Sequence, residues 1–437
     1  MAPPIYGIYY PENGGYLHIC TLGSGAQGTV SLVRSVVDGA QYVRKMTTPI
    51  APLNPGDAAP EVSLYRPHPL IPKLLHSHAY PVFKPKSAHA NMESHSMIFE
   101  FCNGGTLTRF LHIRASDETE RFLPSKLLVW KLFDDLLTAV HFLHQECTPG
   151  IVHGDAHTDN VFLHFPNEQS KIPDFCVGDF GRATAIDANV WEAEGQAGER
   201  KLKSLDSVPM ADRAEYNTQV QELINDLIRV HTNVGMLMTG LRVDDNVGPD
   251  DIIPEQKEDK RWPVGLFDCY DRLDDIIARQ TPEAYNEFAG ICRDVRKFTR
   301  QEAARGRGAY EPDDYRGTQP GVYDWEDAGG RDSRWPPEVP SVGNDRPQLC
   351  NSLHKLLASS RDIPGPWKIA RVDPDSFAVL STKRLELGYH AWTLKVWPWA
   401  APDLIPTQVE QFGWDGILEV ARSMDNGDPD PGASVRS

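Results

Sequence analysis

Cysteine is sparse and scattered: Cys20, Cys102, Cys147, Cys176, Cys269, Cys292 and Cys350 never fall into a Cys-x-x-Cys pair. A disulfide framework and a zinc ribbon are both excluded. Basic charge is in deficit, with 44 Lys and Arg against 61 Asp and Glu and a net charge of −17, which opposes non-specific attraction to nucleic acid or anionic lipid. No uncharged apolar run approaches the ~20 residues a membrane span needs, and Met1 to Gly15 lacks the basic-then-apolar pattern of a leader peptide. The expectation is an intracellular protein, cytoplasmic or nuclear, partnered by neither nucleic acid nor membrane. What is present is a globular balance, 40% hydrophobic and 24% charged over 437 residues, more chain than one core usually serves, so two lobes are expected.

From Tyr16 to Lys45 the chain alternates and is β-branched, with breaks at a Gly-rich stretch and at Asp38-Gly39; this predicts three antiparallel strands. A short amphipathic piece at Glu61 to Arg66 and apolar runs at Ile71 to Leu75 and Met97 to Phe101 follow a Pro-rich connector. Ser125 to Glu146 carries Leu128, Phe133, Leu136, Leu137, Val140 and Leu143 mostly at three- and four-residue steps, which predicts a long helix with a wide apolar face. Further helices are expected at Gln219 to Met238, Phe267 to Arg279 and Pro282 to Ala304. Gly306 to Pro347 is dense in Gly, Pro and Asp and reads as a loop or linker. Beyond it a helix at Leu349 to Ser359 and a hairpin around Asp373-Pro374-Asp375 are expected, then a tail. The boundaries that follow are an N-terminal segment 1–15, a β-rich lobe 16–102, a mainly helical lobe 103–305, a linker 306–347, a C-terminal extension 348–424 and a disordered tail 425–437.

Three motifs carry chemistry. Leu22-Gly23-Ser24-Gly25-Ala26-Gln27-Gly28-Thr29-Val30 lies between two expected strands, where glycines let a hairpin close over phosphates with its N–H groups pointing at the oxygens. A Rossmann fingerprint of the same spelling would lead into a helix; here a strand follows. Lys45 ends the third strand, at a reach that would bring its ammonium to phosphates under that hairpin, and Glu61 opens the next helical piece as a possible pair. The block His153-Gly154-Asp155-Ala156-His157-Thr158-Asp159-Asn160 supplies a carboxylate that can orient or deprotonate a hydroxyl and, five residues on, an amide oxygen for a metal ion. Cys176-Val177-Gly178-Asp179-Phe180-Gly181 supplies a second metal carboxylate.

In this order the motifs resemble those of eukaryotic protein kinases, over roughly Tyr16 to Arg305. The resemblance implies an α+β, bilobal protein kinase-like fold with a C-terminal extension, ATP and Mg²⁺ as cofactors, and a protein substrate. It implies that Leu22, Gly23, Ser24, Gly25 and Gly28 cover the phosphates and that Val30 and Phe162 sandwich adenine. Phe99 would be the gatekeeper, with backbone groups of Glu100 and Cys102 reading the base. Lys45 paired to Glu61 would hold the α and β phosphates, Asp155 would be the catalytic base, and Asn160 and Asp179 would bind Mg²⁺. An Asp in the run Gln221 to Asp226 would anchor the catalytic loop.

The chain also departs from the family. Gly154 replaces the arginine before the catalytic Asp, so a phosphorylated activation loop has no arginine there to pair with. His157 replaces the lysine of Ser/Thr kinases that touches the transferring γ-phosphate, and is expected to join Asp155, Lys45 and Asn160 as a catalytic residue; Ala-Pro-Glu is missing, with Ala214-Glu215-Tyr216 the nearest fragment. His-Gly-Asp-x-His resembles aminoglycoside and choline phosphotransferases, so the alternatives to a Ser/Thr protein kinase are a small-molecule phosphotransferase and a pseudokinase scaffold. Lys45, Asp155, Asn160 and Asp179 are all present, against the scaffold.

Overall fold

The computed structural model describes residues 5–10, 15–25, 28–35, 37–47, 59–81, 93–115, 124–166, 170, 172–192, 200–239, 262–305, 368–372 and 379–383. The chain divides into two compact units, one of Met1–Ala59, Leu74–Phe101 and Glu338–Ser437, the other of Pro60–Lys73 and Cys102–Pro337.

Among the described residues the first unit is one antiparallel sheet. Its strands are β1 (Ile5–Tyr10), β2 (Tyr16–Gly25), β3 (Gly28–Ser35), β4 (Gln41–Thr47), β5 (Leu74–Pro81) and β6 (Glu93–Glu100), with β11 (Lys368–Val372) and β12 (Val379–Lys383) added from far along the chain. The order is β12-β11-β1-β2-β3-β4-β6-β5. The three expected strands are β2, β3 and β4, and the turn between the last two is closed at Asp38, whose carboxylate accepts from the Ala40 N–H at 2.9 Å and the Tyr42 hydroxyl at 2.8 Å. The expected late hairpin forms β11 and β12. It joins the sheet through β1, Ile5 opposite Val372 and Tyr9 opposite Lys368, so the sheet takes in both a strand ahead of residue 16 and two strands of the extension. One side of this unit holds a buried cation: Arg44 is 2% exposed and its guanidinium lies 3.9 Å from the centre of the Tyr10 ring. Beside it His18 is fully enclosed, and burial, with the Arg44 charge, pulls its pKa down to about 3.

The second unit is mainly helical. Its α-helices among the described residues are α1 (Pro60–Ser63), α2 (Leu107–Ala115), α3 (Lys126–His141), α4 (Arg213–Thr239), α5 (Val264–Arg279), α6 (Pro282–Tyr285) and α7 (Phe288–Arg305). The expected long helix is α3, begun by Ser125, whose hydroxyl accepts from the Leu128 N–H; such a cap contributes about 1 kcal/mol. A π-helical turn, Phe142–Glu146, continues it. The apolar face of α3 packs on α4, α5 and α7 in one core that includes Leu132, Phe133, Leu136, Leu223, Leu227, Leu273 and Ile291, all fully buried. The expected helix at Pro282 to Ala304 is divided into α6 and α7. The expected helix at Leu349 to Ser359, the linker, the tryptophans beyond Trp367 and the tail lie outside the described residues. No helix among the described residues is long and apolar enough to cross a membrane.

Candidate active site

Two small antiparallel pairs in the second unit bring the site together. β7 (Ile151–Val152) pairs with β10 (Thr184–Ala185), and β8 (Val161–His164) pairs with β9 (Asp174–Val177). Residues 153–160 link β7 to β8, and residues 178–183 link β9 to β10. Because Val152 stands opposite Thr184 and Val161 opposite Val177, the two connections leave their strands side by side. Gly178 N–H donates to the Asn160 carbonyl at 3.0 Å and stitches them together.

Asp155 sits at the centre. Its side chain is 17% exposed. Asn160 turns its amide nitrogen back onto the loop, donating to the Asp155 carbonyl at 2.9 Å and lying 3.5 Å from Oδ2. His157 Nε2 is 3.7 Å from Asp155 Oδ1. The Asp159 N–H donates to His157 Nδ1 at 3.2 Å, and the Asn160 amide nitrogen lies 3.4 Å from its Nε2. On the same oxygen, Oδ1, Arg182 Nη1 closes from the other connection to 3.7 Å. No arginine stands beside Asp155 along the chain, but the fold supplies one.

The loop is held from below by Asp226 of α4, fully buried. Its carboxylate accepts the backbone N–H groups of His153 at 2.7 Å and Gly154 at 2.9 Å, and faces His144 Nε2 at 3.0 Å. Burial pushes this carboxyl up, but the hydrogen bond and charge of His144, with the help of His153, outweigh it and hold the group below the ordinary carboxylate range. His144 Nδ1 meets the Tyr285 hydroxyl at 2.9 Å. His153 is itself enclosed: its Nδ1 accepts from the Asp155 N–H at 3.2 Å, its Nε2 donates to the Gly178 carbonyl at 2.9 Å, and burial keeps its pKa low. The expected anchor in Gln221 to Asp226 is therefore present, and His144 and Tyr285 complete it. The fragment Ala214 to Tyr216 is the first turn of α4, with Glu215 exposed.

Asp179 is in the left-handed region at φ 62°, its carboxylate accepting from the Gly181 N–H at 3.2 Å. Phe180 is buried against Ile71, Leu143 and Ile151 and meets the His153 ring edge-on at 4.9 Å between centres. Phe162 is half-buried, bridged through its backbone to Thr106. Its ring fills the space a side chain at Gly178 would need. Glu61, in α1, is 4% exposed, and Cys102 is 7% exposed.

The remaining candidates belong to the first unit. Lys45 is 6% exposed, on β4 between Val30 of β3 and Met97 of β6. Phe99 stands opposite Val43 and Leu74, and Glu100 opposite Tyr42. In the Gly-rich hairpin Gly23 pairs with Val30, Ser24 with Thr29 and Gly25 with Gly28; Leu22 is half-buried. Gly28 has φ +146°, and a Cβ there would lie 2.0 Å from the Met46 carbonyl oxygen, so the sheet itself demands a glycine. A Cβ at Gly23 would meet nothing within 4 Å; nothing in the described residues demands a glycine there.

For a cation, the chemistry of the donors fits magnesium: Asn160 has spent its amide nitrogen on Asp155, which leaves an amide oxygen, and Asp179 offers a carboxylate, both hard oxygen ligands. Among the described residues no group of three or more His, Cys, Asp and Glu side chains could hold a metal ion by itself.

Residues 16–195 match the protein kinase domain family model. The chain is 36% identical over 88 residues to the rat interferon-induced, double-stranded RNA-activated protein kinase, covering 20% of this chain and 14% of that protein. It is 28% identical over 184 residues to mouse serine/threonine-protein kinase ULK3, covering 42% of this chain and 34% of the relative, and the human ULK3 match has the same extent. The chain thus spans about a third or less of the curated relatives it matches. With a sheet-rich first unit and a helical second, this is a eukaryotic protein kinase-like chain with a bilobal kinase-like fold.

Proposed function

We propose that the chain is an ATP-dependent Ser/Thr protein kinase that transfers the γ-phosphoryl group of Mg-ATP to a protein hydroxyl. The observation that carries the reading is the setting of Asp155, a half-enclosed carboxylate in a loop whose backbone is locked by Asp226 and His153. In this reading Asp155 receives or orients the hydroxyl proton while the loop stays rigid, which is where a positioned carboxylate is most effective. Lys45 with Glu61 would hold the α and β phosphates. Leu22 to Gly28 would cover them, with a Cβ at Gly23 meeting nothing within 4 Å. Val30 and Phe162 would flank the adenine, with Phe99, Glu100 and Cys102 along its edge. Asn160 and Asp179 would hold Mg²⁺, which when bound neutralises charge on the transferring group.

In the same reading residues 16–102 and 103–305 are the two kinase lobes, followed by a linker and an extension, in an intracellular protein. A protein substrate is favoured over a small hydroxyl compound by the built-up segment after Asp179. There Trp191 bridges Leu202, the Glu192 N–H donates to the Lys201 carbonyl at 2.7 Å, and the Lys203 N–H donates to the Val190 carbonyl at 3.1 Å. The small-molecule alternative retains His153-Gly154-Asp155-x-His157 in its favour. Labelled ATP offered with dephosphorylated proteins and, separately, with a panel of aminoglycosides and amino alcohols decides between them. Label in protein that disappears in Asp155→Asn supports the proposal; label only in the small compounds overturns it.

A further inference from the structure

We infer that Arg182 is a positioning residue for Asp155, a fixed charge delivered from the segment after Asp179 to do in space what no neighbour in the sequence does. The inference rests on the reading of Asp155 as the carboxylate that faces the acceptor hydroxyl. Three observations carry it. Arg182 Nη1 lies 3.7 Å from Asp155 Oδ1, with the arginine side chain 64% exposed and the aspartate 17% exposed. Gly154, directly before Asp155, has φ +73°, and a Cβ there would lie 2.8 Å from the Arg182 carbonyl oxygen and 3.9 Å from the Arg182 Cβ. The glycine at 154 is thus the gap through which the backbone of Arg182 reaches the loop. Finally, Arg182 is fixed on both sides, by the Ala183 N–H donating to the Phe180 carbonyl at 3.1 Å and by Thr184 paired with Val152.

The two carboxylate oxygens consequently have different neighbours. Oδ1 faces Arg182 and His157, while Oδ2 has the Asn160 amide nitrogen at 3.5 Å. A guanidinium on Oδ1 fixes the rotation of the carboxylate and leaves Oδ2 as the oxygen turned to the acceptor. Its charge is present at any working pH, and it comes from the chain itself, with no phosphate on the segment needed to place it.

The test uses the full chain, labelled ATP and the dephosphorylated protein that the wild type labels fastest, with dephosphorylated casein as the reference. Arg182→Ala should lower kcat by about tenfold or more, a typical loss when a catalytic group is misplaced, with the KM for ATP within about twofold of wild type. Arg182→Lys should recover part of the rate. Gly154→Arg, although it restores the family's residue, should lose activity like Arg182→Ala, since the new side chain displaces Arg182. Wild-type kcat in Arg182→Ala beside an inactive Asp155→Asn overturns the inference and spares the kinase reading. Equal losses in the Ala and Lys variants, with lowered melting temperatures in both, also overturn it by making Arg182 merely structural. Full turnover in Asp155→Asn, or no labelling by the wild type, sinks the underlying reading instead.

Discussion

The carboxylate of Asp226, in the middle of a long helix, accepts the backbone N–H of His153 at 2.7 Å across 73 residues of sequence. It also takes the Gly154 N–H and faces His144 Nε2, so one buried side chain ties the loop that presents Asp155 to the helical core. Asp226→Ala would strand two backbone donors and a histidine away from water. The expected cost is about 3–5 kcal/mol, read as a lower urea midpoint, together with loss of turnover. An unshifted midpoint would show that the loop has another anchor.

The two outer glycines of the hairpin should fail in different ways. Gly28→Ala drives a methyl into the Met46 carbonyl at a backbone angle unsuited to alanine, and should destabilise by several kcal/mol. Gly23→Ala meets nothing and should change stability by no more than about 0.5 kcal/mol while raising the KM for ATP. Melting curves and ATP titrations of the two variants decide the point; identical profiles would refute it.

Saturating Mg-ATP should raise the melting temperature of the wild type, since a ligand at a hundred times its Kd adds about 2.7 kcal/mol to the native state. Lys45→Met and Asp179→Asn should lose most of that shift. If Mg-ATP leaves all three curves where they were, the assignment of these residues to the nucleotide is wrong.

Acid should weaken the first unit through His18. Its folded pKa of about 3 lies below the ~6.5 of an unfolded histidine. The unfolded chain therefore takes the proton first, and stability present above pH 6.5 is lost as the pH falls toward 3. By pH 5 the loss is about 2 kcal/mol. His18→Gln should flatten this part of the pH dependence in urea unfolding, and a slope unchanged by the substitution would assign it to other groups.

Turnover should be insensitive to phosphatase. The segment after Asp179 is already fastened without phosphate: Arg200 donates to the Cys147 carbonyl at 2.7 Å and to the Thr148 hydroxyl. Asn286 exchanges hydrogen bonds with the Leu202 backbone at 2.8 and 3.2 Å, and the Tyr216 hydroxyl donates to the Lys203 carbonyl. A tenfold loss after dephosphorylation, about 1.4 kcal/mol in the barrier, would show that a phosphate is part of the working segment.

What could be read from the chain alone was what local patterns encode. The alternation from Tyr16 to Lys45 and the apolar steps of Leu128 to Leu143 report directly on strands and a helix, because each residue type there answers to its own near neighbours. The candidate residues Asp155, Asn160 and Asp179 were legible for the same reason, as parts of short motifs. The anchor at Asp226 was visible only through the resemblance to kinases, and its partners His144 and Tyr285 were not visible, since nothing local marks a histidine that meets a carboxylate 82 residues away. Arg182 escaped for a further reason: Gly154 spells an absence in one dimension, whereas the pairing of β7 with β10 turns that absence into room for a distant cation.

Strand β1 is hydrogen-bonded to β2 on one side and to β11 on the other. During synthesis this strand is made before β11, so its outer edge lacks that partner until Lys368 to Val372 have left the ribosome. Until then a row of unpaired backbone groups stands open to any passing extended segment, the usual starting point for misassembly. The late hairpin is therefore a closing piece for β1: a chain whose translation stops short of it keeps that edge sticky.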